Sequence, residues 1–391
     1  MKRSKKSNSK ISTLFSIDFH NRIYGLDILR AIAISFVVFG HGSTILPSDS
    51  FLNKIAKFIF FDGVGIFFVL SGYLIGGILL KNITANSIDL KALLKFWKRR
   101  WFRTIPTYFL VLTILIILAL CGQVYALPSH VWRFYLFIQN LNFQHPNFFN
   151  EAWSLSVEEW FYLTVPILLF MLIKVFKVNA KTSFIYSAVS IIILITIFRY
   201  YRFSHFPDKS IYGWDNYFRK EVSTRFDSIM YGMIGAFSGL YLKNAFFKYR
   251  WACFFTGISL LLCDKCFFLY NANAYQSAYT YVFTFSVVSL GTLLLIPLLS
   301  TIEKGHGSLF KIVTYTSIIS YSMYLINYSL VLNFLIPIFS KPVKLLLAPS
   351  IASYVISLLF FIITGALSLL LYKFFEKPAT DLRDNHHATA K

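Results

Sequence analysis

An arginine and a histidine on one predicted membrane helix are the residues of this chain best suited to chemistry. Arg30 and His41 lie eleven residues apart in the apolar stretch GLDILRAIAISFVVFGH. That spacing returns to about the same face of an α-helix and separates the two residues by roughly 16 Å along its axis. A cation inside a membrane segment usually faces protein or a water-filled path, and imidazole is the side chain that titrates near neutral pH. The pair indicates either a site for proton transfer or a packed charge with a histidine at a helix end.

A cluster of arginines lies in the stretch KFWKRRWFRTIP. Arg100 and Arg103 are three residues apart and point the same way on a helix, and Arg99 lies four residues before Arg103. The planar guanidinium group binds phosphate through two parallel hydrogen bonds. The cluster therefore predicts either a phosphate-binding site or a contact with anionic lipid at the membrane surface.

Two adjacent glutamates, Glu158 and Glu159, lie in the stretch NEAWSLSVEEWFY, close to the predicted start of an apolar helix. We expect both carboxylates on the same side of the membrane as His41. There, Glu158 would orient the imidazole as a base or neutralise Arg30. The alternative is a pair of acids in the first turn of a helix, where the helix dipole favours them.

The elements that position these residues are membrane helices. The chain has 391 residues, of which 57% are hydrophobic and only 14% are charged. A soluble globular protein is more polar, so this composition predicts an integral membrane protein. The net charge of +21 does not indicate nucleic-acid binding, because the basic residues lie mainly in short runs between apolar segments.

The hydropathy pattern predicts an all-α, polytopic membrane protein with about ten transmembrane helices. They lie near residues 26–46, 61–80, 105–122, 157–175, 183–200, 226–242, 251–270, 279–300, 318–340 and 351–372. The second of these spans is rich in glycine and could be irregular or re-entrant.

The distribution of basic residues predicts that both termini lie in the cytoplasm. Of the 38 Lys and Arg residues, 25 fall on the side of the termini, 11 on the opposite side and 2 within spans. His41 would then lie near the outer face. We divide the chain into a basic cytoplasmic tail (1–23), a membrane domain (24–378) and a short cytoplasmic C-terminal tail (379–391).

Six motifs, taken together, resemble those of acyltransferase family 3, the integral-membrane O-acyltransferases of surface polysaccharides and lipopolysaccharide. In chain order they are Arg30-x10-His41, Phe67-Phe68-x-x-Ser71-Gly72, Arg100-x-x-Arg103, Trp153-Ser154-Leu155 with Glu158 and Phe161-Tyr162, Ser320-Tyr321-Ser322-Met323-Tyr324-Leu325, and Glu376-Lys377-Pro378. The resemblance covers the chain from about Tyr24 to Pro378. Two positions depart from it. Gly63-Val64-Gly65 replaces an acid common in relatives, with Asp62 just before, and Asn327 replaces a common histidine.

The resemblance implies an acyltransferase that transfers groups other than aminoacyl groups, here an O-acetyltransferase. Its donor would be cytoplasmic acetyl-CoA or another acyl-CoA, bound as a substrate and not as a permanent cofactor. Arg100, Arg103 and Arg99 would hold this donor. The acceptor would be a hydroxyl of a cell-surface or lipid-linked glycan. Membrane lipid and a further protein of the same glycan pathway are the other expected partners, and nucleic acid is not one.

The resemblance also implies a catalytic set. His41 would take the proton of the acceptor hydroxyl as a general base or carry the acyl group transiently, and we favour the base. Arg30 would bind the pyrophosphate of the donor or stabilise the oxyanion. Glu158 completes the set, and no metal is expected.

The expected location is the bacterial plasma (inner) membrane, which the protein would cross many times. The competing interpretation is a transporter or flippase of a glycan or lipid precursor. Arg30, Asp264 and Lys265 would then be gating charges or substrate contacts. Otherwise we interpret Asp264 and Lys265 as a buried or helix-end pair.

Overall fold

The computed structural model describes residues 22–85, 89–122 and 126–385. The fold over these residues is 82% helical and contains no strand. The predicted N-terminal tail lies outside the described residues up to residue 21, and the C-terminal tail does so from residue 386. Residues 379–385 of the C-terminal tail are helical.

We number the α-helices of nine residues or more in chain order. They are α1 (Tyr24–Ser43), α2 (Phe51–Ile59), α3 (Gly63–Ala85), α4 (Leu90–Leu120), α5 (Ala152–Phe170), α6 (Ala180–His205), α7 (Asp227–Tyr241), α8 (Arg250–Tyr270), α9 (Thr284–Leu299), α10 (Gly307–Ile326), α11 (Ile336–Leu346), α12 (Pro349–Leu371) and α13 (Lys377–Asn385). Nine helical segments in the described part of the chain are long and apolar enough to cross a membrane, which confirms an all-α, multi-pass membrane protein. The predicted span at 226–242 corresponds to α7, which has only 15 residues. Such a helix is roughly 22 Å long, less than the hydrocarbon thickness of about 30 Å.

The glycine-rich span is not irregular, because it forms the continuous helix α3. Glycines on α3 and on α7, such as Gly72 and Gly232, allow the two helices to pack closely. A Cβ atom on Gly72 would lie 1.9 Å from the carbonyl oxygen of Ile229, and one on Gly232 would lie 2.1 Å from that of Val69. Small residues let the backbones of membrane helices approach closely, so these glycines join two helices and do not interrupt one.

The parallel helices α1 and α10 define two ends of the membrane domain. At one end, which we call the Asp27 end, Ser317 Oγ donates a hydrogen bond of 2.7 Å to Asp27. At the other, the His41 end, His41 Nδ1 lies 2.5 Å from Asn327 Oδ1. Helix α5 begins at the His41 end, because the carboxylate of Glu151 accepts hydrogen bonds from the segment that follows α10.

Three phenylalanines in the described part of the connection between α4 and α5 are buried in the core. Phe134, Phe148 and Phe149 are at most 1% exposed. On α4, the Tyr108 hydroxyl donates a hydrogen bond of 3.0 Å to the carbonyl of Phe134, and its ring lies 5.4 Å from that of Phe149. The connection therefore fixes α4 against the start of α5, and both helices carry candidate site residues.

Most of the basic residues from the end of α6 to the start of α7 are in ion pairs. Five of the six Lys and Arg residues from 199 to 225 have a carboxylate partner. The pairs are Arg199–Asp227 (2.8 Å), Arg202–Glu221 (2.5 Å), Arg219–Asp215 (2.5 Å), Lys220–Asp215 (2.5 Å) and Arg225–Asp62 (3.3 Å). Asp62 is thus a partner of Arg225, which lies on another element.

Candidate active site

A cavity of about 380 Å³ lies toward the Asp27 end, between α1, α3, α4, α5 and α10. Its wall carries four arginines, Arg22, Arg30, Arg100 and Arg103. The other polar lining residues are Asp27, Ser71, Thr104, Ser154, Glu158, Tyr162, Ser320, Tyr321 and Tyr324. The rest of the wall is apolar and includes Val64, Phe67, Phe68, Leu74 and Ile75. Clefts of this size, apolar with a few convergent polar groups, are the usual form of small-molecule sites.

The cavity wall carries more positive than negative charge. Arg22 is paired with Asp27, to which its Nε donates a hydrogen bond of 2.8 Å. Among the described residues, no carboxylate lies within ion-pair distance of Arg30 or Arg103. Arg30 is half-buried and Arg103 is exposed. The two guanidinium groups can therefore bind an anionic ligand that enters from the Asp27 end.

Glu158 is held on the cavity wall by two hydroxyl groups. Ser71 Oγ on α3 donates a hydrogen bond of 3.0 Å to Glu158 Oε1, and the Tyr162 hydroxyl donates one of 3.3 Å to Oε2. The Ser71 and Tyr162 hydroxyl oxygens are themselves 3.1 Å apart. This triangle fixes the carboxylate in the same cavity that Arg30 and Arg103 line.

The sequence led us to expect Glu158 and Glu159 on the same side of the membrane as His41. The structure instead places both glutamates away from His41. Helix α5 begins at Ala152, so Glu158 lies roughly 9 Å inside the helix, in the direction of the Asp27 end. Glu159 is buried and accepts a hydrogen bond of 2.8 Å from Thr104 on α4. Both carboxylates therefore belong to the arginine-rich part of the molecule and not to the first turn of a helix near the imidazole.

His41 lies in the last turn of α1 and outside the cavity lining. Its Nδ1 is 2.5 Å from Asn327 Oδ1, and its ring centroid is 4.7 Å from that of Tyr328. The imidazole is half-buried. Helix geometry separates it from Arg30 by roughly 16 Å along α1.

Tyr324 connects the cavity to the surroundings of His41. It lines the cavity, its hydroxyl lies 2.6 Å from Ser154 Oγ, and it donates a hydrogen bond of 3.0 Å to the carbonyl of Glu151. Asn327 follows Tyr324 by three residues, a rise of roughly 4.5 Å. The far end of the cavity thus lies about one helical turn from the partner of His41.

Comparison with known proteins identifies the family. A model of the acyltransferase domain of acyltransferase family 3 matches residues 23–373. The chain belongs to acyltransferase family 3. SACOL0978 of Staphylococcus aureus strain COL, whose name marks it as a candidate O-acetyltransferase, is 32% identical over 228 residues. O-acetyltransferase OatA of S. aureus strain NCTC 8325 is 31% identical over 234 residues. The matches cover 55% and 54% of this chain but only 34% of each relative, and no solved structure gives a significant match.

The family motifs converge on the cavity. Members of five of the six motifs line it, namely Arg30, Phe67, Phe68, Ser71, Arg100, Arg103, Ser154, Leu155, Glu158, Tyr162, Ser320, Tyr321 and Tyr324. The sixth motif is joined to the fifth, because Ser322 Oγ donates a hydrogen bond of 2.5 Å to Glu376. Residues that are far apart in this acyltransferase sequence therefore meet at one place.

The arginine cluster divides between the cavity and the surface. Arg100 and Arg103 line the cavity, whereas Arg99 is exposed and does not. Successive residues of an α-helix are rotated by about 100°, so Arg99 points away from the direction of Arg100. Only two of the three arginines predicted to hold the donor are therefore in a position to touch a ligand in the cavity.

Asp264 and Lys265 have separate partners and do not pair with each other. Asp264 accepts hydrogen bonds of 2.7 Å from the Tyr279 hydroxyl and 2.6 Å from Thr284. Lys265 Nζ donates a hydrogen bond of 2.6 Å to the carbonyl of Phe60. These local bonds join α8 to its neighbours and give the two residues structural roles.

Sequence reasoning missed Glu151, a buried carboxylate directly before α5. The backbone N–H groups of Tyr328 and Ser329 donate to its Oε1 at 3.0 Å and 2.7 Å, and Ser329 Oγ donates to its other oxygen. Burial raises the pKa of Glu151 to about 7, although the hydrogen bonds from Ser329 and Tyr328 oppose the rise. The sequence signal that could have identified Glu151 was an acidic residue two positions before Trp153, next to the start of a predicted membrane helix.

Proposed function

We propose that this chain is an O-acetyltransferase that moves an acetyl group from cytoplasmic acetyl-CoA to a hydroxyl of a cell-surface or lipid-linked glycan at a bacterial plasma membrane. The observation that carries the proposal is the arginine-lined cavity whose far end lies one helical turn from the partner of His41. A transferase needs a donor site and a proton acceptor that are held close together in a fixed orientation. The names of the relatives support acetyl as the group transferred.

The donor enters from the Asp27 end in this proposal. Arg30, Arg100 and Arg103 bind its phosphate groups, because guanidinium groups recognise phosphate bidentately and these three line the cavity. The acyl-pantetheine arm extends along the apolar wall at Phe67 toward Tyr324. The thioester then lies at the end of the cavity that is nearest to His41.

The imidazole of His41 acts as the general base. It takes the proton of the acceptor hydroxyl while the hydroxyl oxygen attacks the carbonyl carbon of the thioester. The carbon–sulfur bond breaks, and the thiolate of CoA takes the proton from the imidazolium. The products are an acetyl ester and free CoA. An acyl-histidine intermediate is not formed, so rapid denaturation during turnover near neutral pH, where an acyl-imidazole is not lost to acid hydrolysis, should trap no label on the protein.

The Asp27 end faces the cytoplasm in this proposal, and both termini lie there. The predicted excess of Lys and Arg on that side supports the orientation. Six of the eleven Lys and Arg residues on the opposite side fall between residues 199 and 225, and five of these six are in ion pairs. These five cations share four carboxylate partners, Asp227, Glu221, Asp215 and Asp62, so contacts within the fold account for their positions.

The test of function uses purified protein in liposomes with acetyl-CoA labelled in its acetyl group and an envelope extract that contains glycan. We expect label on the glycan together with release of the CoA thiol. Passage of glycan across the membrane with the donor intact would instead make the protein a transporter.

The test of orientation uses a variant in which Cys121, Cys253, Cys263 and Cys266 are replaced by serine. His130→Cys and Lys209→Cys should react from outside with an impermeant thiol reagent, and Lys91→Cys should react only after the membrane is opened. All three positions are exposed in the fold. The reverse labelling pattern would show that the protein has the opposite orientation in the membrane. The cavity would then not open to cytoplasmic acetyl-CoA.

A further inference from the structure

The side-chain amide of Asn327 has a defined orientation. Its Nδ2 donates hydrogen bonds of 2.9 Å to the carbonyl of Met323 and 2.8 Å to that of Tyr324. The amide nitrogen is thereby fixed on the two carbonyls, and Oδ1 faces His41 Nδ1 at 2.5 Å. A carbonyl oxygen can only accept a hydrogen bond, so Nδ1 must carry the hydrogen. The other ring nitrogen, Nε2, then holds the lone pair.

We propose that Asn327 is a positioning residue that fixes His41 as the Nδ1–H tautomer and leaves Nε2 as the basic nitrogen. This inference rests on the proposed function, in which His41 accepts the proton of the acceptor hydroxyl. Which ring nitrogen of a histidine is basic is set by the hydrogen bond that the other nitrogen makes. A neutral amide performs this task without adding a charge next to the imidazole.

A change from α-helix to π-helix allows the side chain of Asn327 to donate to the carbonyl of Tyr324. Helix α10 ends at Ile326, and residues Asn327–Leu335 form a π-helix. In an α-helix the N–H group of Tyr328 would donate to the carbonyl of Tyr324, four residues before it. Here that N–H group donates to Glu151 instead, and so does the next one along the chain. The carbonyl of Tyr324 is thus left for Asn327 Nδ2.

Glu151 therefore acts on His41 through Asn327. Its carboxylate receives two backbone N–H groups and the Ser329 hydroxyl, which together stabilise the π-helical turn. The same turn places the Tyr328 ring 4.7 Å from the imidazole. π-Helical turns inside α-helices are frequent at functional sites, and here the turn brings the amide and the aromatic ring onto one histidine.

The direct test is the tautomer of His41 in the intact protein. Protein labelled with ¹⁵N in histidine has eight imidazole groups, and the His41 signals are identified by their loss in His41→Ala. We expect a protonated Nδ1 and an unprotonated Nε2 in the wild type. A protonated Nε2 with an unprotonated Nδ1 would overturn the inference, whatever the activity of the protein.

The second arm compares Asn327→Leu with Ser357→Ala. Leucine is similar in size to asparagine but cannot accept the hydrogen bond, so both tautomers become populated. We expect kcat to fall by on the order of 10² or more, since the wrong tautomer in a catalytic triad costs about 10⁴, with the KM for acetyl-CoA unchanged. Ser357→Ala removes a 3.4 Å hydrogen bond to the carbonyl of Gly42, next to His41, and should leave kcat and the tautomer unchanged.

The two arms separate failure of this inference from failure of the proposed function. An unchanged kcat and unchanged tautomer in Asn327→Leu would overturn the role of Asn327 while leaving His41 as the base. Full activity of His41→Ala would contradict the proposed function, in which His41 is the general base. The tautomer of His41 would then have no role in catalysis.

Discussion

Replacement of single arginines tests how the cavity recognises its donor. Arg100→Ala and Arg103→Ala each remove one guanidinium group from the cavity wall. A hydrogen bond to a charged group contributes about 1.5–3 kcal/mol. Arg103 is exposed, so water and salt screen its contribution and the lower end applies. We expect the KM for acetyl-CoA to rise about tenfold, the equivalent of about 1.4 kcal/mol, with kcat little changed, because phosphate contacts are equal in ground and transition states.

Arg99→Ala is the matched control, because Arg99 belongs to the same basic cluster but does not line the cavity. Its KM should stay within about twofold of the wild type, as expected for the loss of a surface charge. Lysine at position 100 or 103 should restore donor binding only in part, because an ammonium group lacks the planar fork.

The assay is the initial rate of acetyl transfer over a range of acetyl-CoA concentrations, together with equilibrium binding of the donor in nanodiscs. Raising the ionic strength should weaken binding in the wild type more than in Arg103→Ala, since part of the attraction is then already lost. An equal rise of KM in Arg99→Ala and Arg103→Ala would refute a built donor site. So would unchanged donor affinity in both Arg100→Ala and Arg103→Ala, which would leave the cluster as a lipid contact.

Two further predictions concern stability. Gly72→Ala should destabilise the protein by about 1–3 kcal/mol, because the new Cβ would lie 1.9 Å from the carbonyl oxygen of Ile229. Gly77→Ala is the control, because its Cβ would lie 3.7 Å from the nearest atom. Equal melting temperatures of the two variants in detergent would contradict the close packing. Burial raises the pKa of Glu151 from 4.5 to about 7, so the folded state holds a proton that the unfolded state releases, and wild-type stability should fall as pH rises through this window. Glu151→Gln removes that component, so the melting temperature of the wild type minus that of the variant should be larger at pH 5 than at pH 8; a constant difference would show that Glu151 does not titrate there.

The helices of this fold follow from local composition. A run of about 20 apolar residues must be helical in a bilayer, because no water is present to satisfy its backbone groups. Apolar composition located the long spans and also α7, although α7 is too short to meet the usual length. It failed on α3, where glycines indicated an irregular segment. Whether a glycine breaks a helix or allows a close contact depends on the neighbour, here Ile229 on α7, and the sequence does not contain that information.

The candidate site could be predicted only in part, for a similar reason. The spacing of Arg100 and Arg103 on one helix is a local property, and both do line the cavity. The position of Glu158 depends on where α5 begins, and the helix starts at Ala152 before the apolar run. The partners of His41 lie beyond any local pattern, because Asn327 is 286 residues away in the chain. Only the folded structure brings these groups together.

The most direct test of the account is acetyl transfer by His41→Ala, with donor binding measured separately on the same preparation. A general base contributes about 10²–10⁴ to a rate, so transfer to glycan should fall by that factor. Binding of acetyl-CoA should stay near the wild-type value, because His41 lies outside the cavity lining. Transfer within a few-fold of the wild type, at equal abundance in the membrane, would contradict the assignment of His41 as the base.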